Sequence, residues 1–182
     1  PSIGIAVYPE DGLDFGGLLR NADAALYFAK SQGRNNYQFY NQDMNAKACG
    51  RLKMENALRQ AIEKRELQLY YQPQYNLIDH SLVGCEALLR WCHEGRMVSP
   101  AEFIPIAEET GLIVQIGEWV LEEGCRQGAA WLAEGYNPKQ IAINVSAVQF
   151  RESLYETLQG VLERTGFPAE MLELELTEST LM

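Results

Sequence analysis

The sequence predicts an α/β fold, and three patterns in it support this prediction. From residue 66 onward, segments of strand character alternate with segments whose apolar residues recur at helical spacing. Segments 141–146 and 172–177 each follow a predicted helix, so their strands are expected to pair in parallel. Both segments have one aliphatic face and one face with polar residues. Such strands suit a partial (β/α)8 barrel of the TIM type, where helices cover the outer face and the inner face lines the lumen.

A strand–helix–strand unit is predicted within the first 41 residues. Alternation over residues 2–8 indicates one strand, and residues 37–40 indicate another. Between them, Asp14 can cap a helix, and Gly33 suits the left-handed position that ends it. This unit is too small to bury a core of its own. Because the chain opens in a strand without a Met and ends just after another strand, we interpret it as a fragment of a longer protein.

The domain organisation predicted from these patterns is 1–41, then a connecting helix over 42–65, then 66–182. A hairpin is expected first in the last part, from strands over 66–74 and 83–91, so one strand is antiparallel to the rest. Ser99, Pro100 and Glu102 predict a helix start with a capping box, and Gly111 its end. A second helix should follow to about Gly135, then strand 140–146, a helix from about residue 154 and strand 172–177.

Composition and charge narrow the range of functions. The formal net charge is −10, which argues against a nucleic-acid scaffold, so no DNA or RNA partner is expected. The four cysteines lie singly in apolar patterns and indicate small core residues in a reducing, cytoplasmic compartment. No apolar run reaches transmembrane length, although the parent protein could be anchored through other segments.

Polar side chains share the inner face of three predicted strands. Glu86, Leu88 and Arg90 lie on one face of the first strand, and Asn144 and Glu175 lie on the corresponding faces of two later strands. Carboxylate and amide oxygens without thiols or imidazoles suit a hard divalent cation such as Mg²⁺, Mn²⁺ or Ca²⁺. The alternative is that these carboxylates pair with cationic side chains elsewhere in the chain. The convergence on three strands favours a metal-assisted site, with Arg90 placed to hold a phosphate.

The first part of the chain resembles the C-terminal end of a GGDEF domain, the diguanylate cyclase family. The matching segments are Ser2-Ile3-Gly4-Ile5-Ala6, Ala22-Asp23-Ala24-Ala25-Leu26-Tyr27, Ala29-Lys30 and Gly33-Arg34-Asn35. The resemblance implies that Lys30 and Arg34 contact the phosphates of GTP. Cations that stabilise a helix C-terminus are an equally good interpretation of these two residues. The segment that names the family is absent here, so this fragment is expected to have no cyclase activity.

Residues 66–182 resemble the N-terminal half of an EAL domain, the cyclic di-GMP phosphodiesterase family. The matching segments are Tyr71-Gln72-Pro73, Glu86-Ala87-Leu88-Leu89-Arg90-Trp91, Ser99-Pro100-Ala101-Glu102-Phe103-Ile104-Pro105-Ile106-Ala107-Glu108, Asn144-Val145-Ser146 and Glu175-Leu176-Thr177-Glu178-Ser179. The family fold is a barrel with one reversed strand, which agrees with the predicted hairpin.

The resemblance also implies roles for individual residues. It makes Glu86, Asn144 and Glu175 ligands of Mg²⁺ or Mn²⁺, and it places Gln72, Leu88 and Arg90 at the dinucleotide. It makes Glu86 and Glu175 catalytic together with Glu178, which steadies a loop near the metal. Residue spacing alone does not assign these roles.

The expected function of the parent protein is hydrolysis of cyclic di-GMP to linear pGpG by metal-activated water. The family's aspartate pair, lysine and further glutamate and glutamine lie beyond this stretch, so the fragment itself is expected to be inactive. A non-catalytic cyclic di-GMP receptor and a bifunctional cyclase–phosphodiesterase are the alternatives. A homodimer formed through the EAL domain is also expected.

Overall fold

The computed structural model describes residues 1–33, 35–150 and 154–176. The chain forms two compact units, Pro1–Asn56 and Ala57–Met182. The boundary between them falls inside the segment predicted to connect two domains. The division into 1–41, 42–65 and 66–182 stays a prediction.

The first unit contains the predicted strand–helix–strand arrangement. Strand β1 (Ile3–Ile5) pairs in parallel with β2 (Tyr37–Phe39), and helix α1 (Phe15–Ser31) connects them. Asp14 Oδ1 accepts a hydrogen bond of 2.8 Å from the backbone N–H of Gly17, so the expected N-cap is confirmed. Gly33 follows the helix with a φ of +92°, a backbone conformation that glycine adopts without strain.

Helix α2 (Gln42–Ala61) begins in the first unit and ends in the second. Within the first unit, Asn45 Nδ2 donates to the hydroxyl of Tyr40 at 2.7 Å and to Asn21 Oδ1 at 3.1 Å. Within the second unit, Leu58 and Ala61 are buried. The predicted long helix is therefore present, and it ends four residues before the predicted boundary at 65.

The second unit is an α/β structure built on one mixed sheet. Its elements in chain order are β3 (Leu67–Tyr75), β4 (Leu82–His93), β5 (Arg96–Val98), α3 (Pro100–Thr110), α4 (Leu112–Ala133), β6 (Ile141–Val145), α5 (Ala147–Phe150), α6 (Leu154–Thr165), a 3₁₀ turn (Ala169–Met171) and β7 (Leu172–Leu176). The strand order is β3-β4-β6-β7, with β5 beside the end of β4. The β3–β4 pair is antiparallel and the β4–β6 and β6–β7 pairs are parallel, as the sequence predicted.

The aliphatic strand faces pack against helix α4. Ile141, Ile143 and Val145 are almost completely buried. Gly124 and Gly128 let the helix come close to the sheet: a Cβ at Gly124 would lie 2.7 Å from Ile143 Cδ1, and one at Gly128 would lie 2.6 Å from Ile141 Cδ1. Because this face is filled by α4, the opposite, polar face of the sheet is the one left for a site.

Side-chain contacts of Glu66 hold the beginning of β3 to the end of β4. Glu66 Oε2 accepts a hydrogen bond of 3.0 Å from Trp91 Nε1 and lies 3.0 Å from His93 Nδ1. Burial alone raises the pKa of the Glu66 carboxyl, but these two contacts outweigh it and leave the pKa below its ordinary value. The ionised carboxylate therefore stabilises the hairpin.

The start of α3 differs from the sequence prediction. Ser99 precedes the helix and Pro100 begins it, but the Ser99 side chain makes no capping hydrogen bond, so the predicted capping box is wrong. The carboxylate of Glu102 instead contacts Arg96 Nη2 at 3.3 Å. Strand β5, which the sequence analysis missed, brings Arg96 to this position. The short helix α5 was missed too, because four residues are too few to show a helical period.

Among the described residues, no helix combines the length and the apolar character that crossing a membrane requires.

Candidate functional site

The polar face of the sheet brings together the side chains predicted from three strands. Gln72 on β3 lies opposite Glu86 on β4, and Glu86 is in register with Ala142 on β6. Two residues further along β6, Asn144 is in register with Glu175 on β7. Because side chains alternate along a strand, these four polar residues share one face of the sheet.

Glu86 and Asn144 are in direct contact. Asn144 Nδ2 donates a hydrogen bond of 2.7 Å to Glu86 Oε1, although the residues are 58 positions apart in the chain. In the register of β4 against β6, Glu86 lies beside Ala142, so Asn144 is two residues further along β6, near the end of that strand. The amide therefore leans back along the sheet toward the carboxylate.

Glu175 completes a group of oxygen donors on this face. Burial, followed by the negative charges of Glu86 and Glu173, raises the pKa of the Glu175 carboxyl. The structure thus brings two carboxylates close enough to repel each other, with one amide between the strands that carry them. A divalent cation would remove this repulsion, and hard oxygen donors are the ligands that Mg²⁺ and Mn²⁺ prefer.

The donor set contains only two acidic side chains. Within residues 1–33, 35–150 and 154–176, no group of three His, Cys, Asp or Glu side chains is arranged to hold a metal ion. Asn144 supplies the third donor, and its amide must present its oxygen to a cation instead of its N–H₂ to Glu86. The residues fit a weakly held hard cation.

Arg90 lies further along β4 on the same face. Its guanidinium stacks over the ring of Tyr70, with 5.7 Å between Cζ and the ring centroid, and its Nη1 donates to the carbonyl of Leu89 at 2.9 Å. These two contacts hold a planar fork of donors on the sheet face that carries the acidic group. Sequence analysis missed Tyr70; the cross-strand neighbour rule could have found it, since Tyr70 lies opposite Leu88 in the hairpin.

A cavity of about 260 Å³ lies between the sheet and helices α3 and α4, near the carboxyl end of β6. Leu88, Arg90 and Asn144 line it together with Glu108 and Ser146. The described lining includes neither Glu86 nor Glu175, so the cavity does not contain the acidic group. Gln72 is exposed on the other side of Glu86.

Comparisons with known proteins bear on this arrangement. The model of the family described as "EAL domain" matches residues 55–182, which is more than half of the chain. The chain belongs to the EAL domain family. Its residues 1–36 match the model described as "Diguanylate cyclase, GGDEF domain".

Relatives of this EAL domain include proteins with a stated activity. The chain is 49% identical over 183 residues to the bifunctional diguanylate cyclase/cyclic di-GMP phosphodiesterase MucR of Pseudomonas aeruginosa, covering all of this chain and 27% of MucR. It is 37% identical over 183 residues to the cyclic di-GMP phosphodiesterase PdeR of Escherichia coli, again covering all of this chain and 27% of the relative. The chain thus spans about a quarter of the length of the curated relatives that it matches.

A solved structure of the P. aeruginosa MucR phosphodiesterase in complex with c-di-GMP resembles this EAL domain. The TM-score is 0.67 and the identity 46%, and the match covers 71% of this chain and 53% of that one. The three letters of the family name stand in this EAL domain as Glu86-Ala87-Leu88 on β4.

Three other predicted site residues belong to the first unit or lie outside the described residues. Lys30 is exposed in the last turn of α1 in the first unit, where it also suits the negative end of the helix dipole. Arg34 and Glu178 lie outside the described residues.

Proposed function

We propose that the full-length protein containing this EAL domain hydrolyses cyclic di-GMP to the linear dinucleotide pGpG. The observation that supports this most directly is the meeting of Glu86, Asn144 and Glu175 on one sheet face. Such a group has little structural purpose, because repulsion between its carboxylates costs stability. It gains a purpose if it holds a cation beside a phosphodiester.

The cation we propose is Mg²⁺ or Mn²⁺, held by Glu86, Asn144 and Glu175. When bound, such an ion would polarise the scissile phosphate and make a neighbouring water more acidic. The protein's own contribution would be to fix the donors. This is supported by the position of β6 between β4 and β7, by the contact of Asn144 with Glu86 and by its register with Glu175.

Arg90 is proposed to bind a phosphate of the dinucleotide. Its two-pronged guanidinium suits a phosphate better than a lysine ammonium does, and Tyr70 limits its movement. Leu88 and Gln72 flank Glu86 on this face and are proposed to contact the remainder of the ligand. Glu86 and Glu175 are proposed as catalytic through the metal, and Glu178 as the residue that steadies the neighbouring loop.

The remaining proposals concern the setting of this site. Lys30 and Arg34 are proposed to contact GTP phosphates in a complete cyclase domain, which would make the parent bifunctional. We further propose that the protein works in the cytoplasm and dimerises through its EAL domain, and that DNA and RNA are not its partners.

The experiment measures conversion of cyclic di-GMP to pGpG by the purified full-length protein with Mn²⁺. We expect turnover in the wild type and its loss in Asn144→Ala. Asn137→Ala is the matched control, because Asn137 is an exposed loop asparagine whose Oδ1 accepts only a local bond of 2.9 Å from the N–H of Lys139. Tight binding of cyclic di-GMP without any turnover would overturn the enzyme proposal in favour of a receptor.

A further inference from the structure

A buried polar network is centred on Ser146, just beyond the end of β6 and two residues after Asn144. Ser146 and Gln149 are only 6% and 5% exposed. The Ser146 hydroxyl donates a hydrogen bond of 2.7 Å to Glu108 Oε1 on α3. The N–H of Ser146 donates to Gln149 Oε1 at 3.0 Å, and the carbonyl of Ser146 accepts from the N–H of Gln149 at 3.0 Å. The backbone at this point is therefore tied to two helices.

Gln149 cannot turn away easily, because helix α4 covers it. A Cβ on Gly117 would lie 1.9 Å from Gln149 Nε2, so the amide packs closely against Gly117. The network thus joins three helices to the end of one strand. Buried polar groups are costly unless every partner is held in place, and this network satisfies the hydroxyl and the N–H of Ser146.

Ser146 is two residues beyond Asn144, and Glu108 lines the same cavity as Asn144 and Arg90. Movement of the backbone at Ser146 would rotate the end of β6 and change the direction of the Asn144 amide. We propose that Glu108 is a positioning residue: through the Ser146 hydroxyl it fixes the end of β6 so that Asn144 faces Glu86 and Glu175. This inference rests on the proposed function, because it takes Asn144 as a metal ligand.

The chemistry of the bond decides which substitutions are informative. Glu108 acts as a hydrogen-bond acceptor for a hydroxyl, and the carbonyl oxygen of glutamine accepts in the same way. Glu108→Gln should therefore keep Ser146 in place, whereas Glu108→Ala removes the acceptor. Groups that orient metal ligands typically change metal affinity by about 10–100-fold when they are lost.

The test measures Mn²⁺ binding to the full-length protein from the electron paramagnetic resonance signal of free Mn²⁺, without substrate. Asn144→Ala is measured first, and weakened Mn²⁺ binding in this variant establishes the metal site itself. In the protein with Asn144 intact, we expect Glu108→Ala to weaken Mn²⁺ binding by about 10-fold or more, and Ser146→Ala to do the same. Glu108→Gln should stay within about threefold of the wild type. Glu109→Ala, the exposed acid next to it on α3, is the matched control and should bind Mn²⁺ as the wild type does.

The outcomes separate this inference from the proposed function. If Asn144→Ala leaves Mn²⁺ binding unchanged, the metal site of the proposed function fails, and the inference fails with it. If Asn144→Ala weakens binding but Glu108→Ala does not, the site stands and the positioning role of Glu108 is wrong. If Glu108→Gln weakens binding as much as Glu108→Ala, the charge of Glu108 is what matters, and the proposed positioning through Ser146 is again wrong. A combined Glu108→Ala/Ser146→Ala variant should bind Mn²⁺ no more weakly than the weaker-binding of the two single variants, because both substitutions remove the same hydrogen bond.

Discussion

Replacing Gly117 by alanine should destabilise the EAL domain, although a glycine-to-alanine change within a helix is normally stabilising. The new Cβ would lie 1.9 Å from Gln149 Nε2 and 2.5 Å from Gln149 Cδ, so one of the two groups must move. Overpacking of this kind costs about 1–3 kcal/mol. Displacing Gln149 would also deprive the buried N–H of Ser146 of its acceptor, at about 1–3 kcal/mol. Alanine returns about 1 kcal/mol through its better helix propensity.

The expected net loss is therefore about 1–5 kcal/mol in the free energy of unfolding, measured by urea denaturation. Gly160→Ala on α6 is the matched control, because a Cβ there meets only the end of the flexible Arg164 side chain, at 3.1 Å. This control should be neutral or stabilising by up to about 1 kcal/mol. In a Gln149→Ala background the clash is absent, so adding Gly117→Ala should cost nothing further. Equal stability of the Gly117 and Gly160 variants would refute this account of the packing.

Three further predictions concern charge. Arg90→Lys keeps the positive charge but loses the two-pronged donor that stacks on Tyr70. Calorimetry should therefore show cyclic di-GMP binding weakened by about 1–3 kcal/mol. Unchanged affinity would mean that Arg90 is not part of the ligand site. The pKa of the Glu175 carboxyl is raised in the fold, so its negative charge costs stability above that pKa. In urea melts of the metal-free protein, Glu175→Gln should therefore be more stable than the wild type at neutral pH but not in acid, and it should bind Mn²⁺ more weakly. A stability difference between variant and wild type that is the same at both pH values would contradict the repulsion. The pKa of the Glu66 carboxyl is lowered in the fold, so the stability that its charge contributes is present at neutral pH and is lost as the pH falls through the lowered pKa. Trp91→Phe removes the hydrogen bond to Glu66 and should cost about 1.5–3 kcal/mol of unfolding free energy at neutral pH, and less at about pH 3. A loss that does not depend on pH would show that packing alone accounts for it.

Local patterns were sufficient where one element depends only on its own residues. The cap at Asp14, the end of α3 at Gly111 and the division of the strands into aliphatic and polar faces all follow from short-range geometry. The predicted capping box is wrong because the carboxylate of Glu102 contacts Arg96 on β5, a strand that the sequence pattern did not reveal. A local sequence rule fails where a residue distant in the chain offers the same side chain a competing contact.

The sequence by itself determined which side chains share the polar face, because alternation along a strand needs no knowledge of the neighbouring strands. It also carried the motifs that place the chain in the EAL family. Only the tertiary structure decided that Asn144 reaches Glu86 across 58 positions, since this depends on the register of β4 against β6. It alone decided the raised pKa of Glu175 and the bond from Ser146 to Glu108. Both arise between groups distant in the chain, and no local periodicity encodes the distance between such groups.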